Sequence, residues 1–96
     1  HEFQKERPAL VVQSDAQSRV SNLVTVLPLT GNLANRIADD IIIPKTAGNR
    51  LFSDSVIKVH HIVSFDYSRF IKRIGIADQQ AMGSVGAYLK KHFDLL

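Results

Sequence analysis

The sequence predicts a mainly β domain of the α+β class, a small antiparallel barrel closed by one C-terminal helix. Three observations lead there. Short apolar runs rich in branched residues recur along the chain, at 9–12, 23–27, 41–43 and 54–62. Polar segments and Gly, Pro and Asn turn signals separate them. Only the last stretch carries apolar residues at helical spacing, with Met82, Val85, Leu89 and Phe93 in register. At 96 residues, 45% hydrophobic and 22% charged, the chain has the size and composition of a single globular domain with a modest core.

Taken in order, residues 1–6 are polar and strand-poor. The runs 9–12 and 23–27 read as two strands joined by a polar hairpin loop over 14–22. A turn near Ser18 and Arg19 sets the start of the first strand against the end of the second, which brings Arg7 close to Thr30. Read from the residues alone, this pair has two meanings. A guanidinium and a hydroxyl converging beside Pro8 and Pro28 make a small anion site, since arginine offers a rigid fork of donors to phosphate oxygens. On spacing alone the favoured reading is the other, in which Arg7 caps a solvated strand end and Thr30 opens a Thr-Gly-Asn turn.

Residues 32–40 read as a polar loop, and Ile41, Ile42 and Ile43 as a short buried strand ended by Pro44, with Gly48 and Asn49 as the next turn. A strand over 54–62 places Val56, Lys58 and His60 on one face and Ile57, Val59 and His61 on the other. That pattern fits a strand lining a site as well as a solvated sheet face. Residues 64–70 read as a turn or short helix and 71–76 as a strand. Asp78 is the expected N-cap of the final helix, with Lys90, Lys91 and His92 at the end where cations complement the dipole. Met82 is expected in the core. Gly83 and Gly86 in mid-helix predict close packing or local fraying.

Composition narrows the chemistry. Twelve Lys and Arg against nine Asp and Glu give a net charge of +3, a lean towards an anionic partner. The absence of cysteine removes disulfides, thiolate metal sites and cysteine nucleophiles. His60 and His61 are adjacent, so on a strand they point apart and cannot chelate one ion; no metal or other cofactor is expected. His92 is expected to be a surface residue. No apolar run reaches the roughly 20 residues of a membrane span, and no secretory pattern opens the sequence, so no membrane partner is expected and the expected compartment is the cytoplasm.

A strand opening Arg7-Pro8, then Val11-Val12-Gln13-Ser14-Asp15, then a strand ending Pro28-Leu29-Thr30, resembles the MazF/PemK/Kid family of toxins from toxin–antitoxin pairs. Further on, Phe52-Ser53-Asp54-Ser55-Val56-Ile57 resembles the family's segment with an Asp-Ser-Val core. Phe65-Asp66-Tyr67-Ser68-Arg69-Phe70 resembles its Asp-Lys-Ser-Arg-Leu stretch, and Lys72-Arg73-Ile74-Gly75 the Lys-Ile-Gly that follows. The resemblance runs over the whole chain as one domain, N-terminally incomplete in that the family's first strand is not matched. An unpaired sheet edge would be exposed there.

The resemblance implies the CcdB/MazF-like fold, an SH3-like barrel. It also implies a homodimeric toxin that cuts single-stranded RNA without metal and is neutralised by a cognate antitoxin. Arg7 and Thr30 match the family's most recurrent active-site positions, Arg7 as phosphate stabiliser or acid and Thr30 as hydroxyl donor. His1 matches the histidine of a Gly-His-Glu loop and is a candidate base. Lys58 and His60 fall where one branch has an arginine and an aspartate used in cleavage and RNA contact, so both are departures: lysine lacks the bidentate fork, and an imidazole titrates nearer neutrality than a carboxylate. His61 stands where members have glutamine, and Ser14, Arg19 and Asn32 lie in the loops expected to contact RNA. Two alternatives stand beside this reading. One is a non-enzymatic CcdB-like gyrase poison, although this chain has no tryptophan and ends Phe93-Asp94-Leu95-Leu96. The other is an inactive module that only binds the antitoxin.

Overall fold

The longest strand, Leu23–Thr30, takes partners along both of its edges. In chain order the elements are β1 (Ala9–Val11), α1 (Asp15–Val20), β2 (Leu23–Thr30), β3 (Ile41–Ile43), β4 (Ser55–Ile57), β5 (Val63–Asp66) and α2 (Gln79–His92). Short 3-10 turns lie at Leu33–Asn35, Val59–His61 and Tyr67–Arg69. They are seen in a computed structural model that describes residues 6–95. β1 runs antiparallel along one edge of β2, with Ala9 opposite Pro28 and Val11 opposite Val26. Along the other edge lie β4, with Leu29 opposite Ile57, and β5, with Val26 opposite Val63. β3 completes the sheet on the far side of β4. The result is a curled, half-barrel antiparallel sheet.

The core forms where this sheet meets α2. Leu27, Leu29, Ile43, Ile57 and Val59 are buried against Ala81 and Val85, with Leu10, Ile41, Leu51 and Leu89 packed around them. Leu27 and Ile57 are wholly enclosed, and each such side chain contributes about 1.5–3 kcal/mol of transfer free energy. α2 starts where the sequence places it, since the Asp78 carboxylate accepts from Ala81 N at 2.8 Å. Met82, however, is exposed rather than in the core, and a Cβ at Gly83 or Gly86 would meet nothing within 4 Å, so neither glycine marks close packing within the chain.

The connection over 14–22 is not a plain hairpin loop. Ser14 Oγ accepts from Gln17 N at 3.1 Å and caps the short helix α1, with Asp15 in its first turn. Just before it the Gln13 amide stands in for backbone, accepting from Thr25 N at 3.0 Å and donating to Leu23 O at 3.1 Å. The expected strand register is nevertheless the one observed.

The strand expected over 54–62 is broken. Between the β4 and β5 pairings β2 advances three residues while its partner advances six, so three residues are extruded as the turn Val59–His61. Period two therefore ends at Ile57. Residues 64–70 divide between the end of β5 and the 3-10 turn Tyr67–Arg69, which Asp66 caps by accepting from Ser68 N at 2.9 Å.

Residues 71–76 form no strand. They are held instead against the turn around Gly48, through Ile76 N donating to Gly48 O at 3.0 Å. Gly75 permits this approach: a Cβ there would lie 2.5 Å from Asn49 O and 2.6 Å from Gly48 O, closer than real side chains come to backbone. Gly75→Ala should therefore destabilise the domain by about 1–3 kcal/mol through overpacking. Gly48→Ala, whose Cβ meets only Thr46 Oγ1 at 3.8 Å, should stay within about 0.5 kcal/mol of the parent. Urea unfolding of the two variants checks the contrast, and equal losses would mean the 75–49 contact does not constrain the fold.

Candidate active site

The end of β2 is where the expected residues meet. Leu29 N donates to Pro8 O at 3.2 Å, which carries the β1–β2 register one step past Ala9 and sets Arg7 across from Thr30. Arg7 is exposed and Thr30 half-buried. Thr30 Oγ1 accepts from Asn32 N at 3.2 Å. Among the described residues its hydroxyl donates to no partner, so the hydrogen is available to a ligand. Asn32 accepts from Ala34 N at 3.2 Å and caps the following 3-10 turn. Gly31 lies against Ser53, whose Oγ would be 3.2 Å from a Cβ at that position. Thus β1, the 30–32 turn and the 52–54 loop converge on one sheet end.

The remaining expected residues are placed differently. His1 lies outside the described residues. Ser14 is used as the cap of α1, and Arg19 is exposed on that helix. Lys58 closes the β4 strand, its N–H donating to Pro28 O at 2.9 Å. Its ammonium is committed to Asp40 Oδ2 at 2.6 Å, with the Asp40 side chain fully buried and that of Lys58 largely so. It is not a free phosphate contact. His60 and His61 sit together on the extruded turn, so the assignment of Lys58 and His60 to one strand face and His61 to the other does not hold.

His60 belongs to a second polar cluster that the sequence did not reveal. Its Nε2 lies 3.2 Å from Asp39 Oδ2, and its Nδ1 3.1 Å from the Tyr88 hydroxyl, which in turn lies 3.2 Å from His92 Nδ1. His92 is therefore part of a network on α2, stacked on Tyr88 four residues earlier. Burial raises the Tyr88 pKa, and the negative charges of Asp39 and Asp40 raise it further, so the phenol remains a neutral donor. The paired carboxylates Asp39 and Asp40 and the Tyr88/His92 spacing on one helix face were the available signals. Neither says that an extruded turn will bring His60 between them.

Among the described residues no group of three or more His, Asp or Glu side chains is disposed to hold a metal ion, and no helix is long and apolar enough to cross a membrane.

Asp40 links the site to acid stability. Burial pushes its pKa up, but the Lys58 hydrogen bond, the Ile37 N–H and the charges of Lys58 and His60 together outweigh burial, so the carboxyl titrates below its ordinary 3.8. A carboxylate with a depressed folded-state pKa contributes stability that is complete above its unfolded pKa and is lost as pH falls through the folded one. Urea midpoints measured from pH 6 down to pH 2.5 should fall steeply below about pH 4 in the parent. They should fall less steeply in Asp40→Asn, and parallel curves would remove Asp40 from the acid limb.

The model of the family described as PemK-like, MazF-like toxin of type II toxin–antitoxin system matches residues 1–93. Endoribonuclease MazF6 of Mycobacterium tuberculosis is 34% identical over 94 residues, covering 95% of this chain and 81% of that protein. Endoribonuclease MazF2 of Mycobacterium bovis matches with the same figures. Among solved structures, the Mycobacterium tuberculosis toxin MazF-mt6 superposes with a TM-score of 0.80 at 22% identity, covering 97% of this chain and 91% of that one. A MazE–MazF complex from Deinococcus radiodurans gives 0.80 at 23% identity, covering 98% and 86%. The curled sheet, the matched family model and the 34% identical relatives agree, and the chain belongs to the PemK-like, MazF-like toxins of type II toxin–antitoxin systems.

Proposed function

We infer that this chain is the toxin of a type II toxin–antitoxin pair and an endoribonuclease that cuts single-stranded RNA in the cytoplasm. It acts as a homodimer and is silenced by its cognate antitoxin. Relatives named endoribonucleases support the activity, and a solved complex of MazE with MazF supports the partner. The gyrase-poison and binding-only alternatives gain no support from them. What supports the chemistry is the β1–β2 register, which continued one step past Pro8 runs Arg7 towards Thr30, whose hydroxyl accepts from Asn32 N and so has its hydrogen to give.

In the reaction a ribose 2′-oxygen loses its proton to a base and attacks the adjacent phosphorus. The bond from phosphorus to the 5′-oxygen breaks, leaving a 2′,3′-cyclic phosphate, and the departing oxygen takes a proton from solvent water. Charge accumulates on the non-bridging oxygens as the new bond forms. The Arg7 guanidinium and the Thr30 hydroxyl are the donors that meet it. Thr30 stands on paired backbone, which keeps it in place before substrate arrives.

His60 is the proposed base. Asp39 at its Nε2 is placed to stabilise the imidazolium formed when the ring takes a proton. Nδ1 then receives that proton once the Tyr88 hydroxyl turns to its other partner, His92. Lys58 acts indirectly, by neutralising buried Asp40.

Cleavage should continue in excess EDTA, since none of these roles needs a cation. Loss on chelation restored by a divalent ion would show a metal-dependent reaction. Arg7→Ala should lower the cleavage rate by about a hundredfold, the scale for one transition-state donor, with the circular dichroism spectrum retained because Arg7 is exposed. A folded variant of unchanged rate would take Arg7 out of the site. His60→Ala should flatten the pH–rate profile between roughly pH 5.5 and 7.5, where imidazoles change charge. His61→Ala, at a residue without the Asp39 and Tyr88 partners, should preserve its shape. Matching profiles for the two variants on one RNA would refute the assignment of the base.

A further inference from the structure

Beside the Arg7–Thr30 end of the sheet lies a concavity of about 390 Å³ lined by Arg50, Lys72, Arg73 and Ile74. Two guanidiniums and an ammonium share it, and no acidic side chain among the described residues forms an ion pair with them. Its walls are built rather than incidental. Asn49 is buried, and its side chain accepts from Thr46 N at 2.9 Å and Leu51 N at 3.0 Å while donating to Pro44 O at 2.9 Å. That network holds Arg50 at φ 54, a left-handed conformation uncommon for a residue with a Cβ. The opposite wall, residues 72–74, is held there by the Gly75 approach to Asn49 and the Ile76–Gly48 hydrogen bond. A strained backbone that concentrates three like charges is costly, and such cost is commonly borne where charge is used.

The concavity is joined to the scissile site by the chain itself. Ser53 touches Gly31, next to Thr30. Phe52 is 99% exposed. Arg50 lines the concavity, and the three residues from Arg50 to Ser53 span at most roughly 10 Å. On the other flank a smaller cavity is shared by Pro8 and Ala9 with Ile74 and Gly75, so Arg7 and Arg73 each adjoin its lining. An anion site, an exposed aromatic ring and a second cationic site are thus neighbours through the 50–53 segment. Interleaving of charge with an aromatic ring matches a single-stranded nucleic acid, whose phosphates alternate with bases that stack. An acidic peptide matches the charge, but regular alternation of charge with a stacking ring is the property of a nucleic-acid strand.

We propose that Arg50, Lys72 and Arg73 form a second phosphate subsite for RNA, with Phe52 as the stacking platform for a base between it and the scissile phosphate at Arg7 and Thr30. This rests on the reading of the chain as an endoribonuclease. The subsite contributes binding of the strand and takes no part in the bond that breaks. Arg50 and Arg73 grip phosphate oxygens by their forks and Lys72 acts as a point charge.

The test uses a mixed-sequence 2′-O-methyl RNA, which lacks the 2′ nucleophile, with binding read by fluorescence anisotropy over a series of potassium chloride concentrations. K72A/R73A should bind at least about tenfold more weakly at low salt, and the slope of log K against log salt should shrink by about 0.7 for each phosphate that the variant no longer neutralises. Arg50→Gly, which suits the left-handed backbone, should act in the same direction. Phe52→Ala should lower affinity about fivefold or more with the salt slope unchanged. Because all of these side chains line the surface, circular dichroism should match the parent.

Parental affinity and slope in K72A/R73A, alongside a parent that cuts ribo-RNA, would overturn the subsite and leave the endoribonuclease reading standing. Loss of binding to a poly-glutamate peptide with RNA binding intact would assign the cations to an acidic protein partner and overturn the proposal. A folded parent that neither binds nor cuts RNA would overturn both readings together.

Discussion

The structure depends on β2 being paired along both edges. Its backbone donors and acceptors are taken by β1 on one side and by β4 and β5 on the other, while Leu27 and Leu29 face the core beneath α2. A strand held on both edges and one face has no freedom to slip, because a one-residue shift would turn Leu27 and Leu29 out of the core. The position of Thr30 follows from that constraint. Arg7 follows in turn, since Pro8 O receives the N–H of Leu29.

Fixing β2 moves irregularity into its partner. The chain from Ser55 to Asp66 keeps to one edge of β2, yet it carries three residues more than that edge can pair. They leave as a turn whose first residue, Val59, is buried in the core while the next two face outward. This places His60 between Asp39 and Tyr88, and it leaves Lys58 just past the end of β4, where its ammonium meets Asp40. The buried pair is better regarded as a constraint than as a source of stability, since desolvation offsets much of its attraction. What it does is tie the 37–40 turn to the sheet end.

A comparable trade shapes the segment before α2. Residues 72–76 lack strand partners and are held by a close backbone approach that only glycine at position 75 permits. Both polar atoms of the Asn49 side chain are hydrogen-bonded within the neighbouring turn, which braces Arg50 in its left-handed conformation. Two irregular segments thus brace one another, and the cations they carry are brought together although they are distant in sequence.

On its own the sequence revealed the class of the fold and the β1–β2 register that runs Arg7 towards Thr30. It did so because branched runs, Asp78 as a cap and the spacing from Arg7 to Thr30 are local signals that pairing reads directly. It also placed β3 and the last helix. Residues 54–62 were legible as a strand only up to Ile57, because nothing in their alternation records how many residues the facing strand can accommodate. The helix α1 was missed since six residues carry little periodicity, though Ser14 before Asp15 was its signal. The partners of Lys58 and His60 lay beyond local reading for the same reason: Asp40 and Tyr88 reach them only after β3 has paired with β4 and α2 has packed on the sheet. Contacts between residues far apart in the chain are decided by which apolar faces bury together, and that is settled by the tertiary structure alone.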